Sequence, residues 1–411
     1  MHAYAQEEQP GSACTPSGKI VVTGGPEQMP RRVMICNGST WRTFMEQNTD
    51  GKSLFQVDND TGSCTAAKEG RLRFNDSTNL WSYCRSGSWT NFTTLPTCAV
   101  GQGYVMTGSG WGCCPEGGTT WTSGSNIPGS NDLFPGALTY GNGLFVLVGE
   151  SFVDSNHFRT SPDGITWTPR TAPDPGWGWR TVTYGNGTFV AIGGSWSVTD
   201  LTSSTDGITW TPRTSPANNY WAGIAHGNGL FVAVGYSGGT EVITSPDGIT
   251  WTERTGIAEE WIDVTYGNGL FVAVGRTGTN RVMTSPDGIT WTARTAAENN
   301  EWTSVTYGGG QFVAVAQTGT NRVMTSPDGI TWTARTIAAE QWQDVTYAAG
   351  KFITVAWAAG QEIATSEDGI TWTLRNTPGY EDFFQVASNS STLVSIGLYG
   401  ATMRSPIAIC P

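Results

Sequence analysis

The nineteen residues TGTNRVMTSPDGITWTART occur at 277–295 and again, unchanged, at 318–336. A chain that repeats itself at a fixed interval builds one supersecondary unit many times, and each unit buries its apolar face against its neighbours. The wider pattern Ser-x-Asp-Gly-Ile-Thr-Trp-Thr places Trp at 167, 210, 251, 291, 332 and 372, a spacing of 40–43 residues. A degenerate earlier copy, CPEGGTTWT, ends after Trp121. A second recurring segment, YGNGLFVAVG, lies near Tyr140, Tyr184, His226, Tyr266, Tyr307 and Tyr347, with a degraded copy after Phe384.

Each unit divides into four short strands. The first is the Trp261–Tyr266 type of segment, followed by Gly-Asn-Gly, a hairpin turn that needs positive φ. Phe-Val-Ala-Val-Gly makes the second strand. A variable loop leads to a third, such as Arg281-Val282-Met283-Thr284. Ser-Pro-Asp-Gly makes the next turn, and Ile-Thr-Trp-Thr is read as the fourth strand. Four antiparallel strands per 40–45 residues is the period of a β-propeller blade. The repeat region begins with a fourth strand alone, Thr119–Thr122, and ends with strands one to three, from Phe383 to Arg404. These fragments complete each other. The expected fold is all-β, a seven-bladed β-propeller whose closing blade is shared between the two ends of the region, which removes an open sheet edge.

Upstream, two segments begin at Cys14 and Cys64, and both read Cys, turn, strand, turn, strand, Cys, Gly-Ser, Trp. They are expected to be β-hairpin modules stapled by Cys14–Cys36 and Cys64–Cys84. Cys410 follows the last strand, and ring closure would bring it to Cys113 or Cys114, with Cys98 taking the other. No Cys-x-x-Cys pair exists and the three His lie far from these Cys in sequence, so zinc is not expected. Disulfides imply a secreted, periplasmic or cell-surface setting. Ala3-Tyr4-Ala5 before Gln6 has the form of a signal cleavage site. The expected organisation is a signal remnant or flexible segment at 1–12, hairpin modules at 13–47 and 48–97, a linker at 98–112 and the propeller at 113–411.

A net charge of −12 disfavours nucleic acid and anionic membranes. No run of eighteen apolar residues is present, so membrane insertion is not expected. Asp58 and Asp60 have calcium-loop spacing without the rest of the loop, so they are read as a turn. No metal and no cofactor is expected.

SPDGITW resembles the Asp-box, or BNR repeat, of sialidase-like and photosystem-assembly-factor-like propellers, with Asp to Trp one position shorter here. The resemblance covers roughly 113–411. It implies a structural role, between strands three and four, for Ser161, Asp163 and Trp167, for Ser204, Asp206 and Trp210, and for Ser245, Asp247 and Trp251. The same holds for Ser285, Asp287 and Trp291, for Ser326, Asp328 and Trp332, and for Ser366, Asp368 and Trp372. Asp and Ser can accept the turn's own N–H groups, and Trp fills the space between layers.

A sialidase needs an Arg cluster, a Tyr–Glu nucleophile pair and an acid/base Asp, all breaking the repeat. The Arg residues here instead recur at 170, 213, 254, 294, 335 and 375, always after Trp-Thr-x. His2, His157 and His226 assemble no Ser/His/Asp set. The remaining candidate site is a second aromatic series, Trp179, Trp221, Trp261, Trp302, Trp342 and Phe383, which opens strand one. Glu260, Glu301, Gln341 and Asp382 stand beside it, and facing loops supply Trp196, Tyr236, Arg276, Gln317, Trp357 and Tyr399. Two readings are open for these rings: they pack neighbouring blades, or they form an aromatic floor on which a sugar stacks while Glu260, Glu301 and Gln341 take its hydroxyls. No catalytic residue is assigned. The expected function is non-enzymatic adhesion, with glycan or a cell-surface protein recognised through the loop face. A sialidase-like glycoside hydrolase and an assembly factor docking a protein partner are the alternatives.

Overall fold

The computed structural model describes residues 117–407 apart from 129–132, 151–156, 172, 174–177, 194–200, 236–240, 358–362 and 378–381, and the strand backbones within 20–113. The chain forms two compact units, one of Gly117–Ala408 and one of Met1–Glu116 with Ile409–Pro411. The amino-terminal unit contains a three-stranded sheet, Ile20–Thr23, Arg32–Cys36 and Trp41–Glu46, and a four-stranded sheet running from Phe55–Gln56 to Ser88–Phe92. The side chains of all the expected disulfides, at Cys14, Cys36, Cys64, Cys84, Cys98, Cys113, Cys114 and Cys410, lie outside what the structure describes.

The larger unit is a seven-bladed β-propeller, each blade a four-stranded antiparallel sheet, and in six of the seven the strands lie in chain order from the centre outward. Blade 4 shows the plan: Trp261–Gly267 is innermost, then Leu270–Gly275, Arg281–Ser285 and Thr292–Thr295. First strands neighbour one another around the ring, and those beginning at Phe134 and Phe383 close it. The closing blade joins Phe383–Ser388, Thr392–Gly397 and Thr402–Pro406 to Thr122–Ser123, with Thr122 opposite Arg404 and Ser123 opposite Met403.

The cores lie between blades. Val232, Val234 and Val242 of blade 3 pack with Trp261, Phe271 and Met283 of blade 4, and each neighbouring pair repeats this arrangement. The strand-two run Phe-Val-Ala-Val is buried on both faces because a blade lies against each.

Two boundaries differ from the sequence reading. The fourth strand begins after Trp, as in Thr252–Arg254, and Ile-Thr-Trp belongs to the turn. The reason is that Asp247 Oδ1 accepts the N–H of Ile249 (2.8 Å) and Thr250 (2.9 Å), so a sheet ladder cannot use them. Ser245 Oγ donates to Asp247 Oδ1 (2.9 Å) and accepts from Gly248 N (2.8 Å), and the same set recurs in blades 1, 2 and 5. The second difference concerns Gly-Asn-Gly. Asn268 and Gly269 take positive φ (49° and 78°), whereas the leading Gly267 does not. Gly267 is small because the Tyr307 ring of the next blade lies over it: an added Cβ would sit 2.1 Å from the ring. Gly141, Gly185, Gly227 and Gly308 stand in the same relation to Tyr184, His226, Tyr266 and Tyr347.

Candidate functional site

Every first strand carries an irregularity near its start. In blade 4, Trp261 pairs with Gly275 and Asp263 with Val274, leaving Ile262 as an extra residue. Register shifts at the corresponding position leave out Gly136, Arg180, Ala222, Thr303, Gln343 and Phe384 in the other blades. A bulge of this kind re-aims side chains and breaks the two-residue alternation of a strand. The bulged residue and, in six blades, its successor therefore both face one cavity of about 390 Å³ at the mouth of the channel. Glu150, Arg276, Gln317 and Trp357, at or just beyond the end of strand two, complete its wall. A second space of about 360 Å³ continues down the channel between the first strands, and Asp263 and Asp344 line both.

The funnel lining combines an apolar cluster with polar groups. Trp357 (45% exposed) and Phe384 pair at 5.9 Å between ring centroids, and Phe134 (41% exposed) joins this apolar side. Arg180, Arg276, Gln317 and Gln343 supply polar groups to the same lining. Gln317 Nε2 donates to Gln343 Oε1 (2.9 Å), which fixes both amides. Arg180 lies 3.8 Å from Glu150, a partly exposed pair worth little on its own, and its guanidinium sits 5.3 Å from the Tyr220 ring centroid. Arg276 Nε is buried without a hydrogen-bond partner.

At the funnel floor Ser304 Oγ lies 3.0 Å from Asp263 Oδ2 and 2.9 Å from Asp344 Oδ1. Asp263 Oδ2 also accepts Val305 N–H (2.9 Å) and Asp344 Oδ2 accepts Val386 N–H (2.9 Å). Burial pushes the Asp263 carboxyl up to about 7; the Val305 N–H opposes the shift and the Asp344 charge adds to it. Burial likewise raises Asp344.

The aromatic floor expected from Trp179, Trp221, Trp261, Trp302, Trp342 and Phe383 is not present. These rings are 0–3% exposed, wedged between blades, and offer no face to a sugar. Trp261, Trp302 and Trp342 donate their indole N–H to the carbonyls of Ile257, Glu298 and Ala338. Glu260, Glu301 and Gln341 stand outside the funnel lining. Of the facing-loop residues, Arg276, Gln317 and Trp357 line it; Tyr399 packs on Phe134 at 6.3 Å, and Trp196 and Tyr236 lie outside the described residues. The recurrent Arg254 donates through Nε to Thr244 Oγ1 (2.9 Å), and its equivalents bond strand-three hydroxyls in the same way. Among the described residues no group of three or more His, Cys, Asp or Glu could hold a metal ion.

Sequence reasoning passed over the two residues after each opening aromatic. They read Arg180-Thr181, Ala222-Gly223, Ile262-Asp263, Thr303-Ser304, Gln343-Asp344 and Phe384-Gln385. No two pairs agree, although blades 4 and 5 share nineteen consecutive identical residues elsewhere. Divergence at this position in every blade of an otherwise recurrent strand was the available signal.

No family model matches the chain, and no curated protein matches it. Solved structures do share its fold. A catalytically inactive virginiamycin B lyase from Staphylococcus aureus, with quinupristin, is 12% identical over 70% of this chain and 99% of its own, at a TM-score of 0.61. YCF48 from Cyanidioschyzon merolae is 15% identical over 69% and 98%, with a TM-score of 0.52. YCF48 bound to D1 peptide is 16% identical over 69% and 96%, with a TM-score of 0.53. At these identities the likeness is one of fold: a seven-bladed β-propeller resembling YCF48 and virginiamycin B lyase.

Proposed function

We propose that this protein is a non-enzymatic binding propeller that receives a segment of a protein partner in the funnel, in a secreted or cell-surface setting. One observation carries the reading. The blades are near copies, yet the residues lining the funnel differ from blade to blade, so the ring presents one composite, asymmetric site. An asymmetric site suits a single asymmetric ligand, and functional residues gather where a rigid scaffold ends. The apolar side at Trp357, Phe384 and Phe134 suits a hydrophobic side chain. The Arg and Gln groups of the same lining suit the peptide groups and polar side chains beside it. A structural neighbour has been solved with a bound peptide, which supports this class of ligand. The glycan alternative loses its main argument with the burial of the strand-one aromatics.

The test is selection from a random-peptide display library on the full chain, in parallel with a glycan array. A Trp357→Ala/Phe384→Ala variant serves as the comparison. Peptides enriched on the parent and lost on the variant are the expected result. Glycan binding alone, or peptide binding indifferent to both rings, overturns the reading.

A further inference from the structure

The inner strand of each blade is a sheet edge, so some of its N–H groups point into the channel with no strand to receive them. In blades 5, 6 and 7 three such donors are taken by the blade before. Asp263 accepts Val305 N–H, Ser304 Oγ accepts Val345 N–H (3.3 Å), and Asp344 accepts Val386 N–H. The same three side chains also touch one another, and this sets a proton count. A serine hydroxyl has one proton to donate. Ser304 Oγ is within hydrogen-bond distance of a carboxyl oxygen on each side, and it can donate to only one. The other contact is favourable only when that carboxyl is protonated and donates to Ser304 Oγ.

We propose that Asp263, Ser304 and Asp344 form a proton-operated clasp across blades 4 to 7, closed while the two carboxyls hold one proton between them and loosened when it is lost. Without the proton, Ser304 keeps one carboxylate and faces the lone pairs of the other. Two like charges then share a site walled by protein, where repulsion is strong. The other charged groups lining the funnel are Glu150, Arg180 and Arg276, and neither Arg lies in ion-pair range of either aspartate. The remaining neighbours, Gly223, Thr303, Gln343 and Gln385, are neutral. The proton belongs to the pair and is assigned to neither residue. Because both acids line the funnel and the channel beneath it, opening the clasp alters the floor on which any occupant rests. The clasp does not depend on what that occupant is.

The folded state keeps a proton that the unfolded chain releases above about pH 4. Stability therefore falls as pH rises from there to about 7 and levels off above it. The test is a carboxyl-carbon NMR titration of the full chain with labelled aspartate, from pH 4 to 9. Asp263→Asn and Asp344→Asn are compared with the parent, since an amide N–H can stand in permanently for the acid proton. One carboxyl step near neutral pH is expected in the parent and none in whichever Asn variant folds. Exchange of the Val305 and Val386 amides, corrected for intrinsic base catalysis, is expected to quicken above that step. If neither variant folds, the parent titration and exchange decide. Two aspartates that both titrate in the ordinary carboxylate range overturn the clasp, as does a near-neutral step that persists in both variants.

Discussion

The leading glycine of each Gly-Asn-Gly turn offers the sharpest test of how the blades are joined. Gly267→Ala places a methyl 2.1 Å from Tyr307 Cγ, 2.4 Å from its Cβ and 2.5 Å from Cδ1. Carbon atoms settle at about 3.5–4.0 Å, so the ring must retreat by more than about 1 Å. Tyr307 has little room for this, because it is tilted against Phe312 at 4.7 Å and packs on the core between blades 4 and 5. Overpacking of this kind costs about 1–3 kcal/mol. Gly269→Ala, two residues on, meets nothing within 4 Å but is held at a φ of 78°. Its cost is the backbone penalty of the left-handed region, about 1–2 kcal/mol. The two costs overlap in size and differ in origin, so a double-mutant cycle in urea unfolding separates them. In a Tyr307→Gly background, which removes the Cβ as well as the ring, Gly267→Ala should become nearly free, a coupling above about 1 kcal/mol, while Gly269→Ala keeps its full cost. Additivity of Gly267→Ala with Tyr307→Gly to within about 0.5 kcal/mol would refute the contact as the reason for the glycine.

Two further outcomes follow from the same geometry. Trp302→Ala removes a fully buried ring and should destabilise by about 3–5 kcal/mol in thermal or urea unfolding. Trp357→Ala should cost about 1 kcal/mol or less and instead abolish capture of peptides selected on the parent. The turn carboxylates Asp163, Asp206, Asp247, Asp287, Asp328 and Asp368 are all held below the usual value of 3.8, chiefly by turn N–H groups and against the opposing effect of burial. A lowered folded-state value means that their stabilisation is complete above pH 3.8 and is lost as pH falls through the lower value. Acid unfolding monitored by tryptophan fluorescence should therefore begin below about pH 4, and Asp247→Asn should blunt its steepness.

The ring was legible because a propeller is written in period and closure. Equal spacing of the turn Trp residues, and complementary fragments at the two ends of the repeat, required only that each unit bury its face on the next. Within a blade, legibility stopped where one side chain could serve two masters. Gly267 reads as a turn residue in sequence because glycine has the same letter whether φ or a neighbour's ring excludes a Cβ. Ile249 reads as strand because it is β-branched, but Asp247 has already taken its N–H. Both errors come from treating the blade alone, when its neighbour or its own turn had the stronger claim.

The site was missed for a related reason. A repeat draws the eye to what recurs, and the recurring Trp261, Trp302 and Trp342 looked like a built surface. Recurrence at a bulky position between units is what packing demands, since every interface has the same volume to fill. A site for one ligand makes the opposite demand, because its contacts cannot be the same in seven directions. The positions to read were those where nearly identical blades disagree: Ile262-Asp263 against Thr303-Ser304, and Arg276 against Gln317. The bulge explains why strand alternation did not reveal them. It turns two adjacent residues toward the channel, so a pair that reads as one inward and one outward residue is inward twice. It also brings Asp263 and Asp344 to the two sides of Ser304, across blades about forty residues apart in sequence. No local pattern in the chain encodes that meeting, and only the closed ring creates it.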